Sequence, residues 1–391
     1  MKETDFPLLD EWIYLDNACT TLKPPQVIDA IRDYYVEYPV CSSGRSSHIL
    51  ATQLKILIDE ARNAVGRFIN AKDPKNEIVF TKNCTESLNI LANSFKGKKT
   101  LISNKEHNSN HLVWRNVQIG ELWKDGQFDT SELENILKNN PDIEMVSLLD
   151  TSNLDGTSVP DLRRVSDLIH DHDAMFVLDA AQTVPHRKFN VIDIDAVCFS
   201  LHKMLGPTGV GVLYAKNDIM EKIDPLCYGG GTVDNEIKLL NGPQRFEAGI
   251  QNYAGICGVT PAIRYLEDIG MDKIEKHELK LQKKVTNELK DVVEIIGPED
   301  PNKRSGIFSF NIPGQNCHDV SITLERNYML LTRSGYHCVH NWFKENNIAG
   351  SVRASMYFYN TFEDLEILIN GVYDIIESGI TVEHTIDGPC F

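Results

Sequence analysis

Between about residue 78 and residue 215, short apolar or β-branched runs alternate with helical stretches, and this alternation constrains the fold more than any other feature. Most of the runs are almost continuously apolar, as expected for strands that are covered on both faces of a sheet. Alternating strands and helices predict an α/β fold with a mostly parallel central sheet, in which ligands bind beyond the carboxyl ends of the strands. The predicted strands are residues 78–80, 100–103, 145–149, 175–178, 196–200 and 209–214.

The character of the sequence changes after residue 257. We expect a large domain over residues 15–257 and a smaller α+β domain formed by residues 1–14 and 258–382, with residues 383–391 as a docked tail. The elements predicted for the smaller domain are one charged helix over 274–296 that ends before a Gly-Pro pair, strands over 306–312 and 329–332, and a closing helix over 363–378.

Composition excludes several classes of function. The formal net charge of −17 argues against sequence-independent nucleic-acid binding, which needs clustered Lys and Arg. No signal peptide is visible at the N-terminus, and no window approaches the ~18 apolar residues of a membrane-spanning helix. The nine cysteines are scattered and lack a CxxC pair, which is typical of free thiols in a reducing compartment. We therefore expect a cytoplasmic protein with no membrane partner and no metal site.

Lys203 follows the apolar run 196–200 and precedes a turn rich in Gly and Pro. A lysine beside a buried strand loses part of its solvation, and a Schiff-base lysine needs the lowered pKa that results. The alternative is a lysine that simply extends to solvent. Asp179, at the end of the run 175–178, favours the first interpretation, because pyridoxal 5′-phosphate (PLP) enzymes place a carboxylate against the pyridinium nitrogen. The two residues together predict a PLP site.

Residues 83–86 lie between a predicted strand and a predicted helix. The N-terminus of a helix has unpaired amides and a dipole that favours an anion, so this segment is a candidate phosphate site, with a plain helix cap as the alternative. Ser200 and His202 could donate hydrogen bonds to the same phosphate. His107 could stack on the cofactor ring.

A series of short motifs in chain order resembles the class V aminotransferase-fold enzymes, and within them the cysteine desulfurase and selenocysteine lyase branch in its group II form. The resemblance implies the PLP-dependent transferase fold type I and a homodimer. The motifs are YLDNACTT at 14–21, CTE at 84–86, EH at 106–107, SN at 152–153, DAAQ at 179–182, SLHK at 200–203, RFEAG at 245–249, RSGYHC at 333–338, VRAS at 352–355 and YNT at 359–361.

The resemblance also implies a role for each matched residue. Lys203 would carry the cofactor and shuttle protons, Asp179 would pair with the pyridine nitrogen, and Arg353 would take the substrate α-carboxylate. The implied cofactor-binding set is Lys203, Asp179, Gln182, His107, Asn153, Cys84, Thr85, Ser200 and His202. The implied substrate-binding set is Arg353, Arg333, Arg45 and Asn17.

Cys338 lies between two arginines and next to His337, a setting that we expect to be electropositive and to favour the thiolate. The alternative is a cysteine that serves as a small buried hydrophobe. In the implied reaction this thiolate attacks the sulfur of L-cysteine, which leaves a persulfide on the enzyme and releases L-alanine.

The expected function is therefore a PLP-dependent cysteine desulfurase with Lys203, Cys338 and His107 as catalytic residues, which passes sulfur to an acceptor protein. L-Selenocysteine is an alternative substrate. Two alternatives stay open: another class V reaction (C–S lyase, selenocysteine lyase, epimerase or aminotransferase) and a non-catalytic sulfur-transfer scaffold.

Four features depart from the family's pattern. One is the run Val339-His340-Asn341-Trp342 after Cys338, where the family has small and apolar residues. Ile250 replaces a hydroxyl residue that in the family reaches the phosphate of the partner subunit, and Gly44 replaces a histidine before Arg45. Cys390 belongs to a Gly-Pro-Cys-Phe ending outside the pattern. Cys390, in a tail docked near the active-site mouth, could accept sulfur from Cys338 or gate the site. The alternative is a structural tail in which Phe391 fills a surface groove and Cys390 has no role.

Overall fold

The computed structural model describes residues 5–42 and 46–380. The strands of this part of the chain are β1 (Ile13–Tyr14), β2 (Ile78–Thr81), β3 (Lys99–Ser103), β4 (Asn116–Gly120), β5 (Trp123–Lys124), β6 (Gln127–Phe128), β7 (Met145–Leu149), β8 (Met175–Asp179), β9 (Ala196–Ser200), β10 (Gly211–Ala215), β11 (Glu294–Ile296), β12 (Ile307–Asn311), β13 (Leu330–Leu331), β14 (Arg333–Gly335) and β15 (Ser351–Ser355).

The α-helices of the same part are α1 (Pro25–Glu37), α2 (Ile49–Phe68), α3 (Pro74–Glu77), α4 (Cys84–Ser94), α5 (Asn108–His111), α6 (Thr130–Asn139), α7 (Leu162–His170), α8 (Asn217–Met220), α9 (Tyr253–Cys257), α10 (Val259–Ile269), α11 (Met271–Leu289), α12 (Cys317–Tyr328), α13 (His340–Glu345) and α14 (Phe362–Ser378).

The central sheet has seven strands in the order β2-β10-β9-β8-β7-β3-β4. Its pairs are parallel except at β10, which runs antiparallel to β2 and to β9. Every residue of β2, β7, β9 and β10 is buried, because helices and loops cover both faces. The predicted α/β fold with a mostly parallel sheet is confirmed, and each strand expected between residues 78 and 215 is present.

A second sheet of four antiparallel strands, in the order β11-β12-β15-β14, is built from the C-terminal part of the chain. Apolar residues of α11, α12 and α14 pack against it in a core separate from that of the central sheet. Near the N-terminus, β1 pairs in parallel with β13, with Ile13 opposite Leu330. These contacts join the N-terminal segment to the C-terminal region of the chain. The division into two domains, with its boundary near residue 257, stays a prediction.

The prediction of one helix over 274–296 was wrong at its C-terminal end. Helix α11 ends at Leu289, and residues 294–296 form β11, which pairs with β12. Val292, Val293, Ile295 and Ile296 are β-branched, and such residues lose rotamer freedom in a helix and pack well on a sheet. The spacing of Val292 and Ile296 fits a helix face, so periodicity alone led to the wrong element.

Two kinds of feature are absent from the described part of the chain. None of its helices is long and apolar enough to cross a lipid bilayer. None of its clusters of His, Cys, Asp and Glu could hold a metal ion. The tail at 383–391, with Cys390, lies outside the described residues, as does Arg45.

Candidate active site

A cavity of about 210 Å³ lies at the carboxyl ends of β7, β8 and β9. The turn after β14 forms its opposite wall, and the N-terminus of α4 forms one end. The cavity brings together most of the predicted site residues, although they are spread over more than 250 positions of the sequence. The predicted residues that line it are Cys84, Thr85, His107, Asn153, Asp179, Gln182, Ser200, His202, Lys203, Arg333, Cys338 and Arg353.

Asn17 is the described member of the predicted set that does not line this cavity. Its side chain is fully buried, and its Nδ2 donates to the carbonyl of Ser355 at 2.7 Å and to Oδ1 of Asn360 at 3.1 Å. Tyr359 donates its hydroxyl proton to Oδ1 of Asn17. These contacts join the N-terminal segment to the chain after β15, so Asn17 stabilises the pocket without lining it.

Asp179 and Lys203 form the floor of the cavity: Asp179 is the last residue of β8, and Lys203 lies three residues after the end of β9. Burial raises the pKa of Asp179, while the amide of Ala181, which donates to Oδ1 at 3.0 Å, and the charge of Lys203 act in the opposite direction. Burial lowers the pKa of Lys203, against the opposing effect of Asp179. The direction of this shift favours the neutral amine that imine formation requires.

The N-terminus of α4 is joined to the end of β9 at the floor. Asn83 caps the helix, its Oδ1 accepting from the amide of Glu86 at 2.9 Å, and the amide of Cys84 donates to Oγ of Ser200 at 2.8 Å. Burial, followed by the charges of Lys203 and Lys23, lowers the pKa of His202 to about 4. His202 is therefore neutral at physiological pH, and it offers one N–H donor beside the helix terminus.

His107 is the N-cap of α5, and its Nδ1 accepts from the amide of Ser109 at 3.1 Å. Burial, and then the charges of Lys203, Arg353 and Arg333, lower the pKa of His107 to about 3. The imidazole is thus neutral, which suits a ring that stacks on an aromatic ligand rather than one that pairs with a phosphate.

The buried carboxyl of Glu106 supports the loop that carries His107. Its Oε1 lies 2.5 Å from Oγ of Ser103, and its Oε2 accepts from Nδ2 of Asn110 at 2.7 Å and from the amide of Leu149 at 2.8 Å. Burial nevertheless raises the pKa of Glu106 to about 8. Glu106 belongs to the motif at 106–107, but no role for it was predicted from the sequence.

Arg353 is buried on β15 and already has two partners. Nη1 donates to the carbonyl of Asn153 at 2.9 Å, and Nη2 donates to Oδ1 of Asp16 at 3.0 Å. The contact with Asp16 keeps a buried guanidinium paired, as its charge requires. A substrate carboxylate would have to share or replace Asp16 at Nη2, which the sequence did not indicate.

Cys338 lies in a strained turn between β14 and α13. His337 and Cys338 both have left-handed backbone, with φ of 47° and 60°, a conformation that costs non-glycine residues roughly 1–2 kcal/mol each. Hydrogen bonds to the central region hold the turn: Nδ2 of Asn153 donates to the carbonyl of His337 at 2.6 Å, and the amide of Asn108 donates to the carbonyl of Cys338 at 2.7 Å.

The expectation that His337 helps to make the setting of Cys338 electropositive was wrong. Burial, and then the charges of Arg353 and Arg333, lower the pKa of His337 well below its ordinary value, so the ring is neutral. Its Nε2 instead forms a hydrogen bond with Oγ of Ser351 at 2.9 Å. The positive charge beside the thiol comes from Arg333, whose Nη2 lies 3.9 Å from Sγ of Cys338.

Sequence reasoning missed Cys19, which also lines the cavity. Nη1 of Arg333 donates to Sγ of Cys19 at 3.1 Å, across 314 positions of the sequence. The available signal was its place inside the motif at 14–21, two residues after Asn17. A cysteine in such a run is visible from sequence, but its guanidinium partner is not.

Comparisons with known proteins agree with this arrangement. Residues 13–368 match the family model described as aminotransferase class-V. A probable cysteine desulfurase of Pyrococcus abyssi is 36% identical over 96% of both chains, and one of Halalkalibacterium halodurans is 35% identical over 94% of this chain and 95% of its own. The apo structure of cysteine desulfurase from Thermococcus onnurineus superposes with a TM-score of 0.90 at 35% identity, over 96% of this chain and 97% of the other.

Proposed function

Because this chain belongs to the aminotransferase class-V family, we propose that it is a cysteine desulfurase, which takes sulfur from L-cysteine onto Cys338 and releases L-alanine. The observation that carries the proposal is the presence of a thiol and a guanidinium in the same cavity as Lys203 and Asp179. A C–S lyase would need the lysine and the carboxylate but not Cys338.

The residues at the floor fit pyridoxal 5′-phosphate, the cofactor of this family. Lys203 would hold it covalently, Asp179 would bind the pyridinium nitrogen, and the N-terminus of α4 would receive the phosphate. An independent indication is Oε1 of Gln182, which is buried and has no hydrogen-bond partner within the described part of the chain. A buried amide oxygen without a partner is costly, and a ligand in this cavity would supply one. When bound, the cofactor supplies an electron sink that weakens bonds at the substrate's carbon atoms.

The protein's own groups have three tasks in this reaction. Nζ of Lys203, desolvated and therefore easily deprotonated, takes and returns protons. The guanidinium of Arg353 holds the substrate carboxylate and so fixes the substrate's orientation. Sγ of Cys338, with the charged Nη2 of Arg333 at 3.9 Å, is the nucleophile for the substrate sulfur.

The proposal includes a homodimer and an acceptor protein for the sulfur. The segment after α8 exposes large apolar side chains that a second copy would cover, with exposed fractions of 68% for Tyr228, 83% for Ile237 and 67% for Ile250. Cys338 is half-buried at the cavity wall, so part of its side chain is accessible to an acceptor.

The test is incubation of the purified holoenzyme with L-cysteine, with alanine, sulfide and protein-bound persulfide measured together. We expect alanine and persulfide from the wild type, and neither from Cys338→Ala, which should still bind cofactor and substrate. Cys227→Ser is the control, because this exposed thiol lies outside the cavity. Alanine formation by Cys338→Ala at the wild-type rate would contradict the proposal and favour a lyase.

A further inference from the structure

One guanidinium contacts two sulfur atoms in the cavity. Nη1 of Arg333 donates to Sγ of Cys19 at 3.1 Å, and Nη2 of the same side chain lies 3.9 Å from Sγ of Cys338. Both thiols are partly accessible and line the same space. The proposed reaction uses Cys338 and leaves Cys19 without a task.

A third thiol of the cavity shows that this placement is selective. Cys84 also lines the cavity, but it is buried and lies against the carboxylate of Asp179. Burial, and then Asp179, raise the pKa of Cys84 well above its ordinary value, so it stays a protonated thiol. Cys19 instead receives an N–H from a cation, which is the contact that favours a nucleophilic sulfur.

We propose that Cys19 is a second sulfur carrier of this active site, which receives the outer sulfur atom from the persulfide of Cys338. The inference rests on the proposed desulfurase function. In the transfer, Sγ of Cys19 forms a bond to the outer sulfur, the bond between that sulfur and Sγ of Cys338 breaks, and its electron pair stays on Cys338. The proton lost by Cys19 balances the one that Cys338 regains, and no oxidant or reductant is needed.

The position of Arg333 suits this transfer, because its two amino groups contact the attacking and the leaving sulfur. A persulfide extends the reach of Cys338 by about 2 Å, the length of a sulfur–sulfur bond. A disulfide between Cys19 and Cys338 would require the two Sγ atoms themselves to approach to about that distance. Each Sγ contacts a different nitrogen of the guanidinium. Attack on the outer sulfur needs a smaller movement of the two side chains than formation of a disulfide does. Transfer restores Cys338, which can then accept sulfur from a second L-cysteine.

The first experiment counts alanine in a burst without acceptor or added thiol. The wild-type holoenzyme should form about two alanines per active site, and Cys19→Ser about one, because serine keeps an acceptor for Arg333 but cannot carry sulfur. Cys227→Ser should give the wild-type burst, since this exposed thiol lies outside the cavity.

The second experiment maps persulfides by alkylation and peptide mass spectrometry, and its main result comes from the wild type alone. We expect the mass of one added sulfur on the peptides of both Cys19 and Cys338 in the wild type, and on neither in Cys338→Ser. A wild-type burst of one alanine with sulfur on Cys338 alone would overturn the transfer while leaving the desulfurase intact. Sulfur on Cys390 or Cys227 but not on Cys19 would overturn it as well. A wild type that forms no alanine would overturn the proposed function, and this inference with it.

Discussion

The two sides of the active-site cavity are built in different ways. The floor, with Asp179 and Lys203, follows strands whose backbone groups are paired in the parallel ladder of the central sheet. The wall, with Cys338, is a turn with two successive left-handed residues that hydrogen bonds from Asn153 and Asn108 hold in place. The floor is rigid because the hydrogen bonds of the sheet fix its backbone, whereas the wall depends on a few contacts between two regions of the chain.

This difference matches the different tasks that the floor and the wall have in the proposed reaction. A cofactor needs fixed partners, because its reactive atoms must be held within fractions of an ångström. A sulfur carrier has to face the substrate and later an acceptor, so a turn outside the main sheet suits it. The comparison therefore predicts that changes at the floor abolish cofactor chemistry, and that changes at the wall affect only sulfur transfer.

The largest expected effect is that of Lys203→Ala at the floor. Loss of the amine removes the imine and the proton carrier together, so alanine formation should fall roughly 10⁴-fold or more. Borohydride reduction followed by peptide mapping checks this, because the wild type should carry the pyridoxyl label on Lys203. A label on another lysine, or a yellow Lys203→Ala protein with normal turnover, would show that the floor has been assigned to the wrong residue.

Asp179→Asn should have the next largest effect. The amide cannot hold the pyridinium proton as the carboxylate does, so we expect turnover to fall roughly 10²–10³-fold while the imine with Lys203 still forms. Single-turnover rates and the absorbance of the bound cofactor separate the two quantities. Turnover near the wild-type rate would mean that the carboxylate only positions the loop through the amide of Ala181.

The sequence predicted the floor better than the wall for a physical reason. Asp179 and Lys203 each follow a continuous apolar run, and parallel strands bring their carboxyl ends to one edge, so local patterns place both residues. The same logic located Asn83 at the start of α4. The floor is thus a consequence of secondary structure, which short segments of sequence determine.

The wall depends on contacts between distant segments, and local patterns do not encode them. Nothing in the segment 333–338 indicates that Arg333 reaches Cys19, or that His337 is neutral because it is buried between two arginines. The pairing of Arg353 with Asp16 was missed for the same reason. The resemblance to a family implied substrate-binding roles for Arg333 and Arg353, but the contacts of these side chains required the tertiary structure.

Ser351→Ala tests whether the turn that carries Cys338 can be destabilised without a change at the floor of the cavity. It removes the hydrogen-bond partner of Nε2 of His337, whose Nδ1 is already without one in the described chain, and a buried unpaired group costs about 1–3 kcal/mol. We expect persulfide formation to slow by about tenfold, with cofactor binding unchanged.

The matched control for this change is Ser166→Ala on α7. Ser166 is equally buried, but its hydroxyl donates to the carbonyl of Asp193, and neither residue lines the cavity. The control should lose similar stability in denaturant unfolding without slower persulfide formation. Equal rate losses in the two variants would mean that general destabilisation, and not the turn, sets the rate.

The smallest expected effect concerns Glu106, which supports the loop between the two sides. This loop presents His107 to the cavity, and its next residue, Asn108, donates its amide to the carbonyl of Cys338. Burial raises the pKa of Glu106 from an ordinary 4.5 to about 8, so the folded protein binds a proton here more tightly than the unfolded chain. The stabilisation is complete below about pH 4.5 and is lost as the pH rises through about 8.

Glu106→Gln should remove this pH dependence while keeping the contacts of the protonated acid. The amide oxygen can accept from Asn110 and Leu149, and the amide nitrogen can donate to Oγ of Ser103, as a protonated carboxyl would. The free energy of unfolding of the variant relative to the wild type should therefore increase by about 1 kcal/mol or more between pH 5 and pH 8. Urea unfolding at the two pH values measures this difference. A difference that is independent of pH would show that Glu106 titrates alike in both states, and that the loop joining the floor to the wall carries no proton-dependent contact.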